Sequence, residues 1–165
     1  MPTVYLDTFT PEPALDWRPV NDVVMGGVSS SSFTLEQPGT AAFTGEVSLE
    51  NNGGFASVRA PLPQPPGEAM RGLRIRVRGD GQTYHLRIRC SGRYRRVAYR
   101  VSFPTVTQNW EEHWFTWADF RPTFRGRTLS DVPQPTPGRL REIGFIIADK
   151  QAGPFRLMID YIRAE

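Results

Sequence analysis

Apolar and polar residues alternate with a period of two along much of the chain. In segment 73–78, Leu, Ile and Val alternate with three arginines, so the apolar side chains are expected to face a core and the arginines solvent. Segments 84–90 and 155–161 repeat this pattern, and segment 140–148 is apolar almost throughout, as expected for a central buried strand. Together such segments predict roughly ten short strands and no long helix, which is typical of an all-β sandwich or jelly roll.

Local turn signals refine this prediction. Gly79-Asp80-Gly81 predicts a hairpin between segments 73–78 and 84–90, which would bring like charges together on one face of a sheet. Segment 41–49 is expected to direct Leu49, like its other apolar residues, into the core. Segment 121–138 contains four prolines and is predicted to be a long loop, which inside a compact domain is usually functional or mobile.

Composition narrows the function without identifying it. The 165 residues predict one domain spanning residues 1–165, and the 15 glycines and 15 prolines suit many short strands. The net charge of +3 comes with a single lysine, Lys150. We interpret the arginines as solvent faces of strands and predict no nucleic-acid partner.

Catalytic and metal-binding patterns are not evident. Cys90 lies in an apolar alternation that indicates a buried structural thiol, and His85 and His113 stand alone. No nucleophile motif, carboxylate pair or phosphate loop is recognisable, so we predict no catalytic residue, metal or cofactor and interpret the protein as a non-enzyme. The N-terminus resembles no secretory signal and no segment suits a membrane helix, so the expected location is cytoplasmic, with no integral membrane segment.

Two stretches break the strand pattern by combining small amides with a Gly-Gly pair. They cover residues 20–29 and 50–57. Asn and Asp side chains commonly bond to nearby backbone and so stabilise turns. One interpretation is therefore that these residues only fix two difficult turns. The other is that they converge at one end of the sandwich and bind a hydroxyl-rich ligand or a peptide.

The second interpretation defines a set of candidate ligand- or partner-binding residues. They are Asn21, Asp22, Met25, Gly26, Gly27, Ser29, Asn51, Asn52, Gly53, Gly54, Phe55, Ser57, Arg59, Arg125 and Gly126. In this set the Arg125 guanidinium offers a planar fork for carboxylate or phosphate, although a solvated loop arginine is the alternative.

Two further groups have both a structural and a binding interpretation. Trp110, Trp114 and Trp117 suit sugar stacking or partner anchoring, but such a cluster more often fills a core with one member exposed. Asp7 and Asp160 have the oxygen chemistry for calcium, but pairing with nearby arginines is favoured.

Five sequence blocks, taken in order, resemble the complex I intermediate-associated protein 30 family. They are VNDVVMGGVS at 20–29, FTGEVSLENNGGF at 43–55, GDG at 79–81, FRG at 124–126, and IGF at 143–145 followed by GPF at 153–155. The resemblance implies a galactose-binding-domain-like jelly-roll β-sandwich. It also implies a chaperone-like assembly factor that binds a protein subunit, with respiratory NADH:ubiquinone oxidoreductase as the first candidate complex. The alternative is a carbohydrate-binding module-like protein that binds a sugar at the loop end of the sandwich.

Overall fold

The computed structural model describes residues 3–165, apart from the side chains of Val24, Met25 and Asn52. The strands are β1 (Val4–Asp7), β2 (Arg18–Pro19), β3 (Ser30–Gln37), β4 (Thr40–Val47), β5 (Ala56–Pro61), β6 (Gly72–Arg78), β7 (Thr83–Cys90), β8 (Ala98–Pro104), β9 (Trp110–Thr116), β10 (Arg121–Phe124), β11 (Arg127–Thr128), β12 (Leu140–Ile147) and β13 (Gly153–Ala164). Short 3-10 turns lie at Asp22–Met25, Glu50–Asn52, Trp117–Asp119 and Pro137–Arg139.

These strands form two antiparallel sheets, as predicted for a β-sandwich. In the first sheet the order is β3-β4-β13-β6-β9, and β1 also pairs with β13. In the second sheet the order is β11-β10-β8-β7-β12-β5-β2. The predicted central strand is confirmed, because β12 lies between β7 and β5 and its residues 143–147 are buried.

The core lies between the two sheets and is built from the inward-facing residues of each alternation. Phe43, Tyr84, Phe103, Phe145 and Leu157 are all at most 1% exposed. Burial of each such side chain contributes about 1.5–3 kcal/mol relative to an exposed position. The thiol of Cys90 is also buried, as predicted, and burial raises its pKa.

The predicted hairpin between segments 73–78 and 84–90 is wrong. β6 pairs with β13 and β9 in the first sheet, whereas β7 pairs with β8 and β12 in the second. The Asp80 carboxylate accepts hydrogen bonds from the Tyr84 hydroxyl at 3.0 Å and the Arg156 amide at 2.8 Å. Asp80 therefore stabilises a crossover between sheets, a use of Asp-Gly that a local turn signal does not distinguish from a hairpin.

Two other expectations need correction. Segment 121–138 is not a continuous loop, because β10 and β11 form a small hairpin within it and Pro137–Arg139 forms a 3-10 turn. Leu49 is 45% exposed and does not face the core. β4 ends at Val47, so the period-two alternation no longer governs the position of Leu49.

Candidate functional site

The two amide and glycine stretches are joined by the carboxylate of Asp22. Its Oδ1 accepts the Ser29 amide at 2.9 Å, and its Oδ2 accepts the Ser29 hydroxyl at 2.6 Å. The same Oδ2 accepts the amides of Gly54 at 2.7 Å and Phe55 at 3.3 Å. We call Asp22, Ser29, Gly54 and Phe55 the Asp22 clasp.

The Asp22 clasp is tightly closed. Asp22 is fully buried, and burial raises its pKa, but the hydrogen bonds from Ser29, Gly54 and Phe55 outweigh this effect and hold the pKa below its ordinary value of 3.8. A Cβ added to Gly27 or Gly53 would lie 2.4 Å or 2.5 Å, respectively, from atoms of the Asp22 side chain. These glycines are thus needed for close approach to the carboxylate.

A second amide links the same loops. Oδ1 of Asn21 accepts the Ser57 amide at 3.1 Å and the Ser31 hydroxyl at 2.8 Å. Asn51 is exposed and adopts a left-handed conformation with φ of 57°. The polar groups of Asn21, Asp22, Ser29 and Ser57 are therefore used within the fold, where they position the loops.

Other members of the predicted set have different surroundings. Gly26 is exposed at φ of 86°, which favours glycine. The side chains of Met25 and Asn52 lie outside the described part of the structure. Val23, Val28 and Leu49, which belong to or flank the two stretches, are 63%, 51% and 45% exposed. The loops held by the Asp22 clasp thus present apolar side chains to solvent.

A cavity of about 550 Å³ adjoins the Asp22 clasp on the outer face of the second sheet. Four predicted site residues line it: Phe55 from the clasp, Arg59 from β5, and Arg125 and Gly126 from the tip of the β10–β11 hairpin. The structure therefore brings together residues from distant parts of the chain. We call this space the arginine cavity.

Two residues of the arginine cavity, Arg87 and Arg100, were missed by sequence reasoning. The register places Arg59 opposite Gly144, Gly144 opposite Arg87, Arg87 opposite Arg100, and Arg100 opposite Arg121, on five adjacent strands. Directly opposed residues share one face of a sheet. The four arginines thus form one row, the arginine row, interrupted by a glycine.

Gly144 gives the Arg59 side chain room within the row. A Cβ at this position would lie 2.5 Å from the Val58 carbonyl oxygen and 3.1 Å from Cγ of Arg59. Arg59, Arg87 and Arg100 each lie in a period-two alternation, which is a signal in the sequence, but the alternation alone does not reveal that the strands are adjacent.

Charge in the arginine row is only partly compensated. Arg87, which is 8% exposed, forms an ion pair with Glu142. In the described part of the structure, the side chains of Arg59 and Arg100 form no hydrogen bond or ion pair, and Nε of each is buried without a partner. Burial, followed by the charge of Arg87, lowers the pKa of Arg59 to about 10.

A smaller cavity of about 260 Å³ shares Arg100, Thr123 and Gly126 with the arginine cavity. Nε2 of His85 lies 2.6 Å from the Asp149 carboxylate at its edge. Burial lowers the pKa of His85, while the hydrogen bond to Asp149 opposes that effect. Burial lowers the pKa of Arg100, and the charge of Asp149 opposes that effect.

Two arginines on the outer face of the first sheet have compensating partners, in contrast to Arg59 and Arg100. Arg76 lies 2.6 Å from Asp160 and stacks on Trp110 at 4.7 Å. Arg74 lies 2.8 Å from Glu165 and likewise stacks on Trp114 at 5.1 Å. The alternation had suggested that these arginines are freely solvated. They are instead held by acidic and aromatic side chains.

The structure also shows the surroundings of the three tryptophans and of the pair Asp7 and Asp160, which had both a structural and a binding interpretation. Trp117 is 6% exposed, whereas Trp110 and Trp114 are half-buried under arginines. Asp160 pairs with an arginine, as favoured from the sequence. All four hydrogen bonds to Asp7 come from the chain itself, namely from the amides of Phe9, Ala14 and Leu15 and from Nε1 of Trp17.

Among residues 3–165, no helix has the length and apolar character needed to span a membrane. Residues 7–159 match the family described as complex I intermediate-associated protein 30. The mitochondrial protein of that name from Neurospora crassa is 28% identical over 177 residues, which cover 91% of this chain. The chain spans 62% of the length of that relative.

Similar solved structures come from carbohydrate-binding modules and sugar-degrading enzymes. A family 11 carbohydrate-binding module of a cellulosomal cellulase from Clostridium thermocellum has a TM-score of 0.72 at 13% identity, covering 99% of this chain and 94% of its own. A family 30 carbohydrate-binding module has a TM-score of 0.62 at 14% identity, with both chains fully covered. An agarase matches at a TM-score of 0.66 and 8% identity, over all of this chain and 25% of its own. At these identities the likeness establishes the β-sandwich fold.

Proposed function

Because the chain belongs to the complex I intermediate-associated protein 30 family, we propose that it is a non-catalytic assembly factor, which binds an exposed segment of an unassembled protein subunit. The observation that carries this proposal is the family match over residues 7–159, which include the Asp22 clasp and the arginine cavity. Respiratory NADH:ubiquinone oxidoreductase is the first candidate complex, and the cytoplasm is the proposed location.

The surface chemistry supports a protein-binding role. Val23, Val28 and Leu49 are apolar and exposed on the loops of the clasp, and Phe124 is 39% exposed beside Arg125 at the hairpin tip. Exposed apolar groups rimmed by polar residues are typical of interaction surfaces. The clasp would hold these side chains in fixed positions, so that little conformational entropy is lost when a partner binds.

The proposed partner site can be tested by affinity capture from the native cells. Tagged wild-type protein is compared with the double variant Phe124→Ala/Arg125→Ala and with the control Arg156→Ala, an exposed arginine of β13 in the first sheet. The captured proteins are identified by mass spectrometry.

We expect subunits of one multisubunit complex, first of all the respiratory complex, to be enriched with wild type and control and at least fivefold less with the double variant. Equal enrichment by all three proteins would refute the hairpin tip as the contact, and no enriched subunit would refute the assembly role.

Sugar binding is the second candidate, supported by the fold shared with carbohydrate-binding modules. A glycan array with the same three proteins tests it. Binding that depends on Phe124 and Arg125, without capture of any subunit, would favour the sugar-binding alternative.

A further inference from the structure

We propose that the arginine cavity binds a small organic anion, whose carboxylate or phosphate contacts Arg59 and Arg100 and whose apolar part contacts Phe55 and Ile146. This ligand site goes beyond the proposed assembly role and does not depend on it. The juxtaposition that carries the inference is a pair of half-buried arginines, each with a buried Nε that lacks a partner in the described residues, at the wall of a partly apolar cavity.

Two buried hydrogen-bond donors at the arginine cavity lack partners in the described residues. Buried donors are almost always satisfied in folded proteins, and an unsatisfied one calls for an explanation. Nε of Arg59 and Nε of Arg100 are both buried without a partner within residues 3–165. An anion in the cavity would compensate the charge of both guanidinium groups, since such groups bind carboxylate and phosphate through paired hydrogen bonds.

Two arginines of the first sheet have partners that Arg59 and Arg100 lack within residues 3–165. Arg74 and Arg76 of the first sheet each have a carboxylate within 3 Å and an aromatic ring as a stacking partner. A chain rich in arginine can therefore compensate its outward-facing arginines on a sheet. Arg59 and Arg100 have no such carboxylate or stacking partner in the described residues, although each has a buried Nε.

Positive charge is in excess at the cavity, because no acidic residue is among the described residues that line it and the two nearby carboxylates already have partners. Glu142 is engaged by Arg87, and Asp149 is engaged by His85. Against these two carboxylates stand the arginine row and Arg125 at the hairpin tip, so positive charge remains in excess. A cavity wall with one sign of charge attracts ligands of the other sign.

The volume and the lining of the arginine cavity also suit a small organic anion. The volume of about 550 Å³ lies within the range typical of small-molecule sites. Phe55, Ala98, Ile146 and Ala148 line the same space, and Arg125 with Gly126 borders it from the hairpin. An inorganic ion alone would leave these apolar groups without contacts, so the fitting ligand combines an anionic group with an apolar body.

Isothermal titration calorimetry tests the site with defined probes. The anionic probes are phenyl phosphate, benzoate and hexanoate, and the comparison probes are inorganic phosphate, neutral benzyl alcohol and an octapeptide of glutamate. Each is titrated into wild type, Arg59→Gln, Arg100→Gln and the control Arg76→Gln, an arginine of β6 on the other sheet. Circular dichroism verifies that every variant is folded.

We expect at least one of the three organic anions to bind wild type and Arg76→Gln with equal affinity, within twofold, and to bind Arg59→Gln and Arg100→Gln at least tenfold more weakly. Benzyl alcohol should not bind. The proposal is overturned if none of the organic anions binds, if the glutamate peptide alone binds, or if neither variant of the cavity weakens binding. Because no partner protein is present in this assay, these outcomes leave the assembly role untouched.

Discussion

Replacement of Arg59 by methionine is expected to stabilise the protein. The side chain of Arg59 lies half-buried in the arginine row, opposite Gly144 and close to the like charge of Arg87. Met keeps a long, flexible apolar chain at this position and removes the charge. The variant therefore isolates the cost of holding a half-buried guanidinium beside other arginines.

The pKa of Arg59 gives the magnitude. Folding lowers this pKa to about 10, chiefly because burial disfavours the charged form. At about 1.36 kcal/mol per pKa unit, this corresponds to at most about 3 kcal/mol of destabilisation at neutral pH. Solvent at the open side of the cavity screens part of it, so we expect Arg59→Met to raise the free energy of unfolding by about 1–3 kcal/mol.

Thermal and urea unfolding measure the effect. At about 3 °C per kcal/mol for a domain of this size, the expected gain in Tm is about 3–9 °C. Arg76→Met is the matched control, because Arg76 has the ion pair with Asp160 and the stacking contact with Trp110 that Arg59 lacks. That control should lose about 0.5–1 kcal/mol. If both variants lose stability to the same extent, Arg59 is compensated in solution and the reasoning from uncompensated charge fails.

Two other stability predictions concern the loops of the Asp22 clasp. Asp22→Asn removes a charged acceptor of buried hydrogen bonds and should lower the free energy of unfolding by about 2–3 kcal/mol, measured by urea unfolding. Folding lowers the pKa of Asp22, so its contribution to the free energy of unfolding is present above pH 3.8 and is lost as the pH falls further. The free energies of unfolding of wild type and Asp22→Asn should therefore converge in acid. A difference that does not change with pH would contradict this role of Asp22. Asn51 adopts a left-handed conformation with φ of 57°, so Asn51→Gly should change the free energy of unfolding little, whereas Asn51→Ala should lower it by about 1 kcal/mol in the same assay. Equal effects of the two substitutions would show that the left-handed conformation is not maintained in solution.

The sequence by itself determined much of the local structure. The alternation in segment 73–78 correctly separated buried from outward-facing residues, because side chains in a strand point to opposite faces in turn. The apolar run in segment 140–148 correctly indicated a central buried strand. The two Gly-Gly stretches were identifiable because few residues other than Gly, Asn and Asp support such turns. Asp22 could be assigned to a turn, and the five family blocks placed that turn in a jelly-roll sandwich.

Tertiary structure alone decided which strands are neighbours. Asp80-Gly81 is a good hairpin signal, yet the chain crosses there to the other sheet, because the core is completed by burying β6 and β7 in opposite sheets. Arg59, Arg87 and Arg100 come from three separate strands, and only the register of β5, β12, β7 and β8 places them in one row. Alternation specifies the face on which a side chain lies, but it carries no information about pairing partners. The arginine cavity is therefore a product of long-range strand pairing, which local sequence patterns do not encode.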